Sequence, residues 1–192
     1  IWFQRLSFVG ELGWELYIPI NNSKKIFNRI ETLGKKYNLC YSGMHTLDML
    51  RLEKKFLHWG HDITSENNPI EAGLRFAVNL KKKHDFIGRK SIEKIIYQPL
   101  KKKLELFSLK KIKNPGKPLL LHDEPVFYKN KIVGYSTSAN YSFNYNKNIF
   151  LAYVETEFIT IDNLYIEVEG KNYPIMHEAK SIHDPESVKM RN

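Results

Sequence analysis

The sequence predicts an α+β fold in which a mixed region with helices comes first and an antiparallel β region follows. Before residue 98, apolar residues recur at spacings of three and four in several stretches. After residue 99, the pattern changes to short segments in which apolar and polar residues alternate, separated by Gly, Asn and Pro. The 192 residues are 42% hydrophobic, which is enough apolar material for packed cores. We therefore expect two domains, residues 1–98 and residues 99–192.

The first element is a predicted β-hairpin. Leu6 and Phe8 precede a Gly-x-x-Gly turn that begins at Gly10, and strand-forming residues follow at positions 16–20. Glycine lets a backbone come close to a ligand, so Glu11 in this turn is a candidate binding residue. The chain begins at Ile1 without an initiator Met. We expect it to be part of a longer protein and to contain only part of a binding pocket.

Two helices are predicted next. Asn22 or Ser23 can cap the first, whose apolar residues fall on one face that is expected to pack on a sheet. The second helix follows Gly43 and has Arg51 near its end, close to the loop that comes next. The residues expected to turn inward from these two helices are Ile26, Phe27, Ile30, Leu33 and Tyr37, and then Met44, Leu47 and Leu50, with Leu52 off that face.

The remaining elements follow from local signals. Residues 56–64 predict a shaped loop, residues 68–73 a capped turn, residues 74–80 a strand, and the residues after Gly88 a third helix. A hairpin is predicted around Asn130, because Asn tolerates the left-handed conformation that a tight turn requires. Six strands are expected in the second half: residues 104–107, 125–128, 131–137, 149–154, 164–168 and 173–176.

Composition limits the classes of function. The single cysteine, Cys40, excludes an internal disulfide framework and fits a reducing compartment, so a cytoplasmic location is the default. No apolar run approaches the ~20 residues that span a bilayer, and we expect no membrane partner. The net charge of +9 comes from short, dispersed lysine runs such as residues 81–83 and 101–103. That distribution favours a solvated surface, which could steer an anionic small molecule, over a nucleic-acid site.

Two groups of side chains suggest chemistry. His58, His61 and Asp62 have a spacing that metals sometimes use, but a metal needs three or four ligands and no further cluster is evident, so no metal is expected. Trp14, Trp59 and Phe76 could stack on a planar heterocycle, although core packing is the commoner role of such residues. No Gly-x-Gly-x-x-Gly or Walker sequence is present. If the protein uses a flavin or nicotinamide cofactor, we expect that cofactor to bind outside this chain.

Several motifs together resemble those of the folate-binding aminomethyltransferases, which include the glycine-cleavage T-protein and the C-terminal half of dimethylglycine and sarcosine dehydrogenases. The family's Tyr-x-Gly-Glu-x-Gly-x-Glu signature is similar to the run Ser7-Phe8-Val9-Gly10-Glu11-Leu12-Gly13-Trp14-Glu15-Leu16, in which Phe8 replaces the frequent Tyr. The family's Arg-Leu-Glu helix end is similar to Leu50-Arg51-Leu52-Glu53-Lys54. The chain further resembles the dehydrogenase branch at residues 58–64, 68–74 and 85–89 and at the tail His183-Asp184-Pro185.

The resemblance implies a fold and a set of binding residues. The fold would be a partial T-protein-like α/β unit that binds folate, followed by a small antiparallel β-barrel. Glu11 would hydrogen-bond the pterin, because the amino-pyrimidine edge offers adjacent N–H donors to a carboxylate. Arg51 would line the pocket and pair with an anionic part of tetrahydrofolate, while Trp59 and Phe76 would be aromatic walls. The family's catalytic Asp belongs to a segment that precedes the matching residues, so no catalytic residue is assigned here.

The implied function is the tetrahydrofolate-binding part of a dimethylglycine or sarcosine dehydrogenase-like enzyme. The parent would pass a one-carbon unit from a methylamine-derived iminium to tetrahydrofolate, giving 5,10-methylenetetrahydrofolate, and would carry FAD in an upstream domain. An alternative is a T-protein or a folate-dependent demethylase without its own flavin. A further alternative, of a different class, is a binding module that keeps the fold but has no chemistry.

Overall fold

The computed structural model describes residues 1–110 and 117–191 and has the expected α+β architecture. A two-stranded hairpin and three helices come first, and a closed barrel of six antiparallel strands follows. Counted in chain order, the first strand of the barrel is followed around it by the fourth, third, second, fifth and sixth strands. No helix among these residues is long and apolar enough to cross a membrane.

All six strands that the alternating pattern predicts are present in the barrel. Their bounds are Lys102–Leu109 (β3), Pro125–Tyr128 (β4), Lys131–Ser142 (β5), Lys147–Glu155 (β6), Leu164–Val168 (β7) and Lys171–Glu178 (β8). Four of them are longer than the pattern indicates, because barrel closure pairs residues beyond the apolar runs. In the β4–β5 hairpin the left-handed residue is Lys129, with φ 54°, rather than the expected Asn130.

The barrel strands bury side chains on both faces. One cluster fills the interior and includes Phe107, Phe150 and Ile166. A second cluster lies on the outer face of β3 and β6, where Leu104, Leu106, Ile149, Leu151 and Tyr153 pack around Leu52 from the preceding helix. Because a strand alternates its side chains between faces, β3 and β6 are apolar on both and are nearly continuous runs of buried residues.

The opening hairpin is present but is built from different residues. Its strands are Trp2–Gln4 (β1) and Glu15–Tyr17 (β2), so the prediction of strands at Leu6, Phe8 and residues 16–20 was wrong in its bounds. The turn becomes a ten-residue loop, residues 5–14. The paired strands expose Trp2, Phe3 and Leu16.

The first helix, Ile20–Gly34 (α1), begins earlier than expected. Pro19 precedes it, and Ser23 hydrogen-bonds back to the Ile20 carbonyl instead of capping the helix. The prediction that one face packs on a sheet was wrong: no residue of α1 is buried, and Phe27 and Ile30 are exposed. The two-stranded sheet offers too little surface to cover this face.

The second helix, Met44–Glu53 (α2), has the predicted position but a different buried face. Its buried residues are Met49, Arg51, Leu52 and Glu53, whereas Met44 is 74% exposed. The expected inward face of Met44, Leu47 and Leu50 was therefore wrong. The reason is tertiary, since only the C-terminal end of α2 packs on the barrel, and that contact buries the residues that face β5 and β6.

For the segment between α2 and the barrel, one of the three predictions was wrong and two are confirmed. Residues 74–80 contain a short 3-10 helix, Arg75–Ala77, instead of a strand. The turn at residues 68–73 forms as expected, with the Asn68 side chain accepting hydrogen bonds from two backbone N–H groups. The third helix, Arg89–Ile95 (α3), also forms and buries Ile92. The domain boundary at residues 98/99 stays a prediction.

Candidate functional site

The end of α2 carries a buried ion pair that joins the helix to the barrel. Arg51 is 1% exposed and donates to the carboxylates of Asp62 and Asp48, the latter at 2.7 Å from Nε. It also donates to the Phe56 carbonyl at 3.1 Å and to the Ser138 hydroxyl at 2.7 Å. Four of its five N–H groups therefore have protein acceptors. Buried charges need this degree of pairing, because an unpaired charge is costly to remove from water.

A β-bulge in β5 completes this network. The register of β5 against β6 shifts between Ser136 and Ser138, which leaves Thr137 as the extra residue. Successive side chains of a regular strand point to opposite faces, but here both Thr137 and Ser138 reach the same ion pair. The Thr137 hydroxyl donates to Oδ1 of Asp62 at 2.6 Å. The bulge thus supplies two hydroxyl groups to one charged pair.

Glu53 makes a second buried connection between α2 and β5. Its side chain is 0% exposed and accepts hydrogen bonds from the Ser142 hydroxyl at 2.6 Å and from the Asn144 amide at 2.9 Å. The Arg-Leu-Glu motif therefore places an arginine and a glutamate on the barrel, with Leu52 in the apolar cluster between them. The motif is the structural joint between the two halves of the molecule.

Glu11 lies in a loop whose two glycines are required by close packing. Gly10 has φ +81°, and a Cβ atom there would lie 2.9 Å from the Lys54 side chain. A Cβ atom on Gly13 would lie 2.6 Å from the Leu6 carbonyl oxygen. The Ser7 hydroxyl accepts a hydrogen bond from the Gly10 N–H at 3.0 Å. The glycines let the loop fold on itself and against the end of α2.

The Glu11 carboxylate contacts the last residues of the chain. We call residues 179–191, which follow β8, the C-terminal strap. Nε2 of His183 lies 2.7 Å from Oε1 of Glu11, and the Lys189 ammonium lies 3.4 Å from the same oxygen. Nδ1 of His183 lies 3.0 Å from the Tyr145 hydroxyl. The Glu11 side chain remains 45% exposed, and Oε2 has no hydrogen-bond donor among the residues that the structure describes.

The C-terminal strap is fixed by Asp184. Its carboxylate accepts hydrogen bonds from the backbone N–H groups of Val188 and Lys189 at 3.0 and 3.1 Å, and the Lys54 ammonium lies 3.4 Å away. Burial acts to raise the pKa of Asp184, but these hydrogen bonds and the Lys54 charge outweigh it and lower the pKa below the ordinary 3.8. The strap is thus held by an ionised carboxylate.

The four predicted binding residues are placed in different surroundings. Glu11 is connected to the end of α2 through His183, whose backbone N–H donates to the Glu53 carbonyl at 3.0 Å. Arg51 is buried in the joint described above. Trp59 is 68% exposed and Phe76 is 86% exposed, and no aromatic pair among the described residues includes either of them. The binding roles of all four stay predictions.

A cavity of about 630 Å³ lies between α2, the loop at residues 58–61, the segment 118–122 and β5. Arg51 is the one predicted binding residue that lines it, beside Asp48, Ser138 and the rings of His58 and His61. No group of three or more His, Cys, Asp or Glu side chains in the described part of the chain could hold a metal ion. The Asp62 carboxylate is already occupied by Arg51 and Thr137.

Two family models match consecutive parts of the chain. The GCVT N-terminal domain matches residues 1–82, and the glycine cleavage T-protein C-terminal barrel domain matches residues 102–184. The chain belongs to the glycine cleavage T-protein family. The barrel match covers all six strands described above.

Individual relatives agree with this assignment. The mitochondrial dimethylglycine dehydrogenase of Mus musculus is 34% identical over 97% of this chain and 21% of that protein. The mitochondrial sarcosine dehydrogenase of Homo sapiens is 30% identical over 97% of this chain and 21% of that protein. The crystal structure of the glycine cleavage system aminomethyltransferase T from Bartonella henselae shares the fold, with a TM-score of 0.82 at 21% identity, over 95% of this chain and half of that one. The chain therefore spans about a fifth of the two dehydrogenases.

Sequence reasoning missed the residues that surround Glu11. The sequence motifs include His183 only as part of the tail, and no motif includes Tyr145. The contact between Glu11 and His183 joins residues 172 positions apart, so no local spacing could reveal it. The available signal was the pair of motifs at opposite ends of the chain, each containing one of the two residues.

Proposed function

We propose that this chain forms the tetrahydrofolate-binding part of a dimethylglycine or sarcosine dehydrogenase-like enzyme. The parent protein would pass a one-carbon unit from a methylamine-derived iminium to tetrahydrofolate and produce 5,10-methylenetetrahydrofolate. The observation that carries the proposal is the half-exposed Glu11 carboxylate, held in the family's Gly-Glu turn of a chain that matches two such dehydrogenases over nearly its whole length.

The Glu11 carboxylate has the capacity that a pterin requires. An ionised carboxylate accepts up to about four hydrogen bonds, and the protein uses one oxygen, Oε1, for His183 and Lys189. Oε2 and the remaining lone pair positions can accept the adjacent N–H groups of an amino-pyrimidine edge. The half-exposed Lys189 near the turn also favours an anionic ligand such as a folate carboxylate tail.

The other predicted residues have proposed roles of different kinds. Arg51 has one N–H group without an acceptor among the described residues and lines the cavity, so it can offer one hydrogen bond to a ligand there. Trp59, on the loop that follows α2, and Phe76, in the short 3-10 helix Arg75–Ala77, present exposed aromatic faces. We propose them as walls of a pocket to which other parts of the parent protein contribute.

The catalytic Asp and the FAD domain would lie outside this chain, in an upstream part of the parent. We propose the division of this chain at residues 98/99 into a folate-domain part and the barrel domain. A cytoplasmic location stays a prediction. Both dehydrogenase relatives are named as mitochondrial, and fractionation of the source cells would decide between the two compartments.

The test is calorimetric titration of tetrahydrofolate into the wild-type chain and into Glu11→Gln. A glutamine at position 11 presents an N–H group where the pterin edge also presents donors, and it lacks the charge. We expect binding to weaken by about 1 to 3 kcal/mol, which is the range for a hydrogen bond to a charged group. The matched control is Glu66→Gln, which changes an exposed glutamate on another loop and should leave the affinity unchanged.

The same titration on a longer chain that includes upstream sequence separates the alternatives. Binding only by the longer chain would mean that upstream residues complete the pocket. Absence of binding by the longer chain would overturn the folate proposal and favour a binding module without chemistry. An upstream dinucleotide-binding motif would favour the dehydrogenase, and its absence a T-protein or a demethylase.

A further inference from the structure

A chain of three polar side chains connects the barrel to the Glu11 carboxylate. The Tyr145 hydroxyl lies 3.0 Å from Nδ1 of His183, and Nε2 of His183 lies 2.7 Å from Oε1 of Glu11. The three residues come from the β5–β6 connection, the C-terminal strap and the Gly-Glu turn. His183 is 8% exposed, so its contacts are shielded from competing water.

The carboxylate fixes the direction of these hydrogen bonds. An ionised glutamate accepts hydrogen bonds only, so Nε2 of His183 must carry a proton and donate it to Glu11. In the neutral ring Nδ1 is then the acceptor, and the Tyr145 hydroxyl donates to it. The opposite tautomer would place a nitrogen lone pair 2.7 Å from a carboxylate oxygen, which is repulsive.

His183 is also fixed through its backbone. Its N–H donates to the Glu53 carbonyl at 3.0 Å, and the Glu53 side chain is held by Ser142 on β5. A Cβ atom on Gly10 would lie 3.3 Å from Cδ2 of His183, so the turn and the imidazole ring are in close contact. The ring therefore has little freedom, and the carboxylate that it contacts takes its orientation from the barrel.

The other contact to Glu11 cannot set its orientation equally well. Lys189 is 56% exposed and its ammonium lies 3.4 Å from the same oxygen, beyond the usual length of a charge-assisted hydrogen bond. A long exposed lysine side chain has many rotamers. His183 is the rigid and nearly buried partner.

We propose that His183 is a positioning residue for pterin recognition: it holds the Glu11 carboxylate through Oε1 so that the remaining lone pairs meet the 2-amino edge of the pterin. This inference rests on the proposed folate function and adds to it the residue that sets specificity for the amino group. The Tyr145 hydroxyl holds the other ring nitrogen, Nδ1, and the C-terminal strap brings the ring to the turn.

The experiment measures how strongly the chain prefers a folate with the 2-amino group over an analogue without it. The probes are 5-formyltetrahydrofolate and the analogue in which a methyl group replaces the 2-amino group, each titrated into the wild-type chain and into His183→Leu. Loss of the positioned donor should weaken binding of the amino compound by about tenfold. The methyl analogue keeps the ring N3–H but lacks the 2-amino donor, so its affinity should fall by clearly less than that of the amino compound.

Two further variants test whether the effect depends on the position of the N–H donor at residue 183 rather than on the size of the side chain. His183→Gln places an N–H group near the position of Nε2 and should restore most of the wild-type preference. An asparagine side chain at position 183 is too short to reach Glu11, so His183→Asn should behave like His183→Leu. It can replace the leucine variant in the comparison if that variant does not fold. His84→Gln is the matched control, because His84 is exposed on another loop and its replacement should leave both affinities unchanged.

Nitrogen-15 NMR of the His183 ring provides a readout that is independent of ligand. A proton on Nε2 is expected, and a ring protonated on Nδ1 alone would overturn the inference. Equal weakening of both probes in His183→Leu would indicate a merely structural role and overturn it as well. If the wild-type chain and its upstream-extended form bind neither probe, the proposed folate function fails together with this inference. If every His183 variant binds the probes with an unchanged preference, only this inference fails.

Discussion

The barrel and the opening hairpin with α1 differ in how their apolar residues are used. In the barrel, Phe107, Phe150 and Leu151 are completely buried, and β3 and β6 are covered on both faces. In the opening region no residue of α1 is buried, and the hairpin exposes Trp2 and Phe3. Both regions are rich in aromatic residues, so composition does not separate them. What separates them is closure, since the barrel pairs every strand on both sides while the hairpin has two strands only.

The loop that carries Glu11 lies in the second of these regions but is stabilised by the first. Arg5 donates to the Arg191 carbonyl at 2.6 Å, and Glu11 contacts His183 and Lys189 of the C-terminal strap. The joint at Arg51 and Glu53 then connects α2 to β5. The comparison indicates that a rigid barrel supports a candidate binding loop that has little core of its own.

The sharpest test of the comparison is a pair of phenylalanine truncations. Phe150 is 0% exposed and stacks on Phe107 with ring centroids 5.7 Å apart, whereas Phe27 of α1 is 54% exposed. Phe150→Ala should lower the free energy of unfolding by about 4 kcal/mol through lost burial and a cavity. Phe27→Ala should cost less than about 1 kcal/mol. Urea unfolding followed by circular dichroism measures both, and similar losses would contradict the comparison.

The second test breaks the joint between the two regions. Arg51→Met leaves the Asp62 carboxylate buried without its main cation, and we expect a loss of about 3 kcal/mol. Adding Asp62→Leu removes this buried, unpaired charge and should restore part of the free energy of unfolding. Urea unfolding of the single and double variants gives the coupling energy. Additive losses would mean that the pair does not act as a unit.

The smallest expected effect is a pH dependence within the barrel. Burial acts to raise the pKa of Glu105, but hydrogen bonds and charge from Lys103 and Lys55 outweigh it, so its pKa lies below the ordinary 4.5. A group whose pKa is lowered by folding stabilises the folded state above its ordinary pKa, and this contribution disappears as pH falls through the folded value.

We therefore expect Glu105→Gln to be less stable than wild type at neutral pH and to approach wild type as pH falls below the ordinary glutamate pKa of 4.5 and through the lower folded value. Urea unfolding at neutral and acidic pH measures the difference. Glu157→Gln, which changes an exposed glutamate near the end of β6, is the control and should show no such convergence. A difference that stays constant with pH would contradict the assignment of the stabilisation to an ionised Glu105.

The sequence predictions were correct where an element depends on interactions between residues close in the chain, and wrong where it depends on residues far apart. All six barrel strands were predicted, because alternation and turn residues are local signals. The packing of α1 on a sheet and the inward face of α2 were predicted wrongly, since both depend on which surface is available in three dimensions. The strand predicted at residues 74–80 was wrong for a related reason, because a short apolar run does not distinguish a strand from a turn of 3-10 helix.

The sequence by itself determined the α+β class, the barrel strands, the motifs of the family and Glu11 as the candidate pterin residue. Only the tertiary structure decided that the Arg-Leu-Glu motif joins α2 to β5 and that His183 and Tyr145 surround Glu11. The physical reason is distance along the chain. Periodicity and turn chemistry act within a few residues, whereas the contacts of Arg51 with Ser138 and of Glu11 with His183 join residues 87 and 172 positions apart.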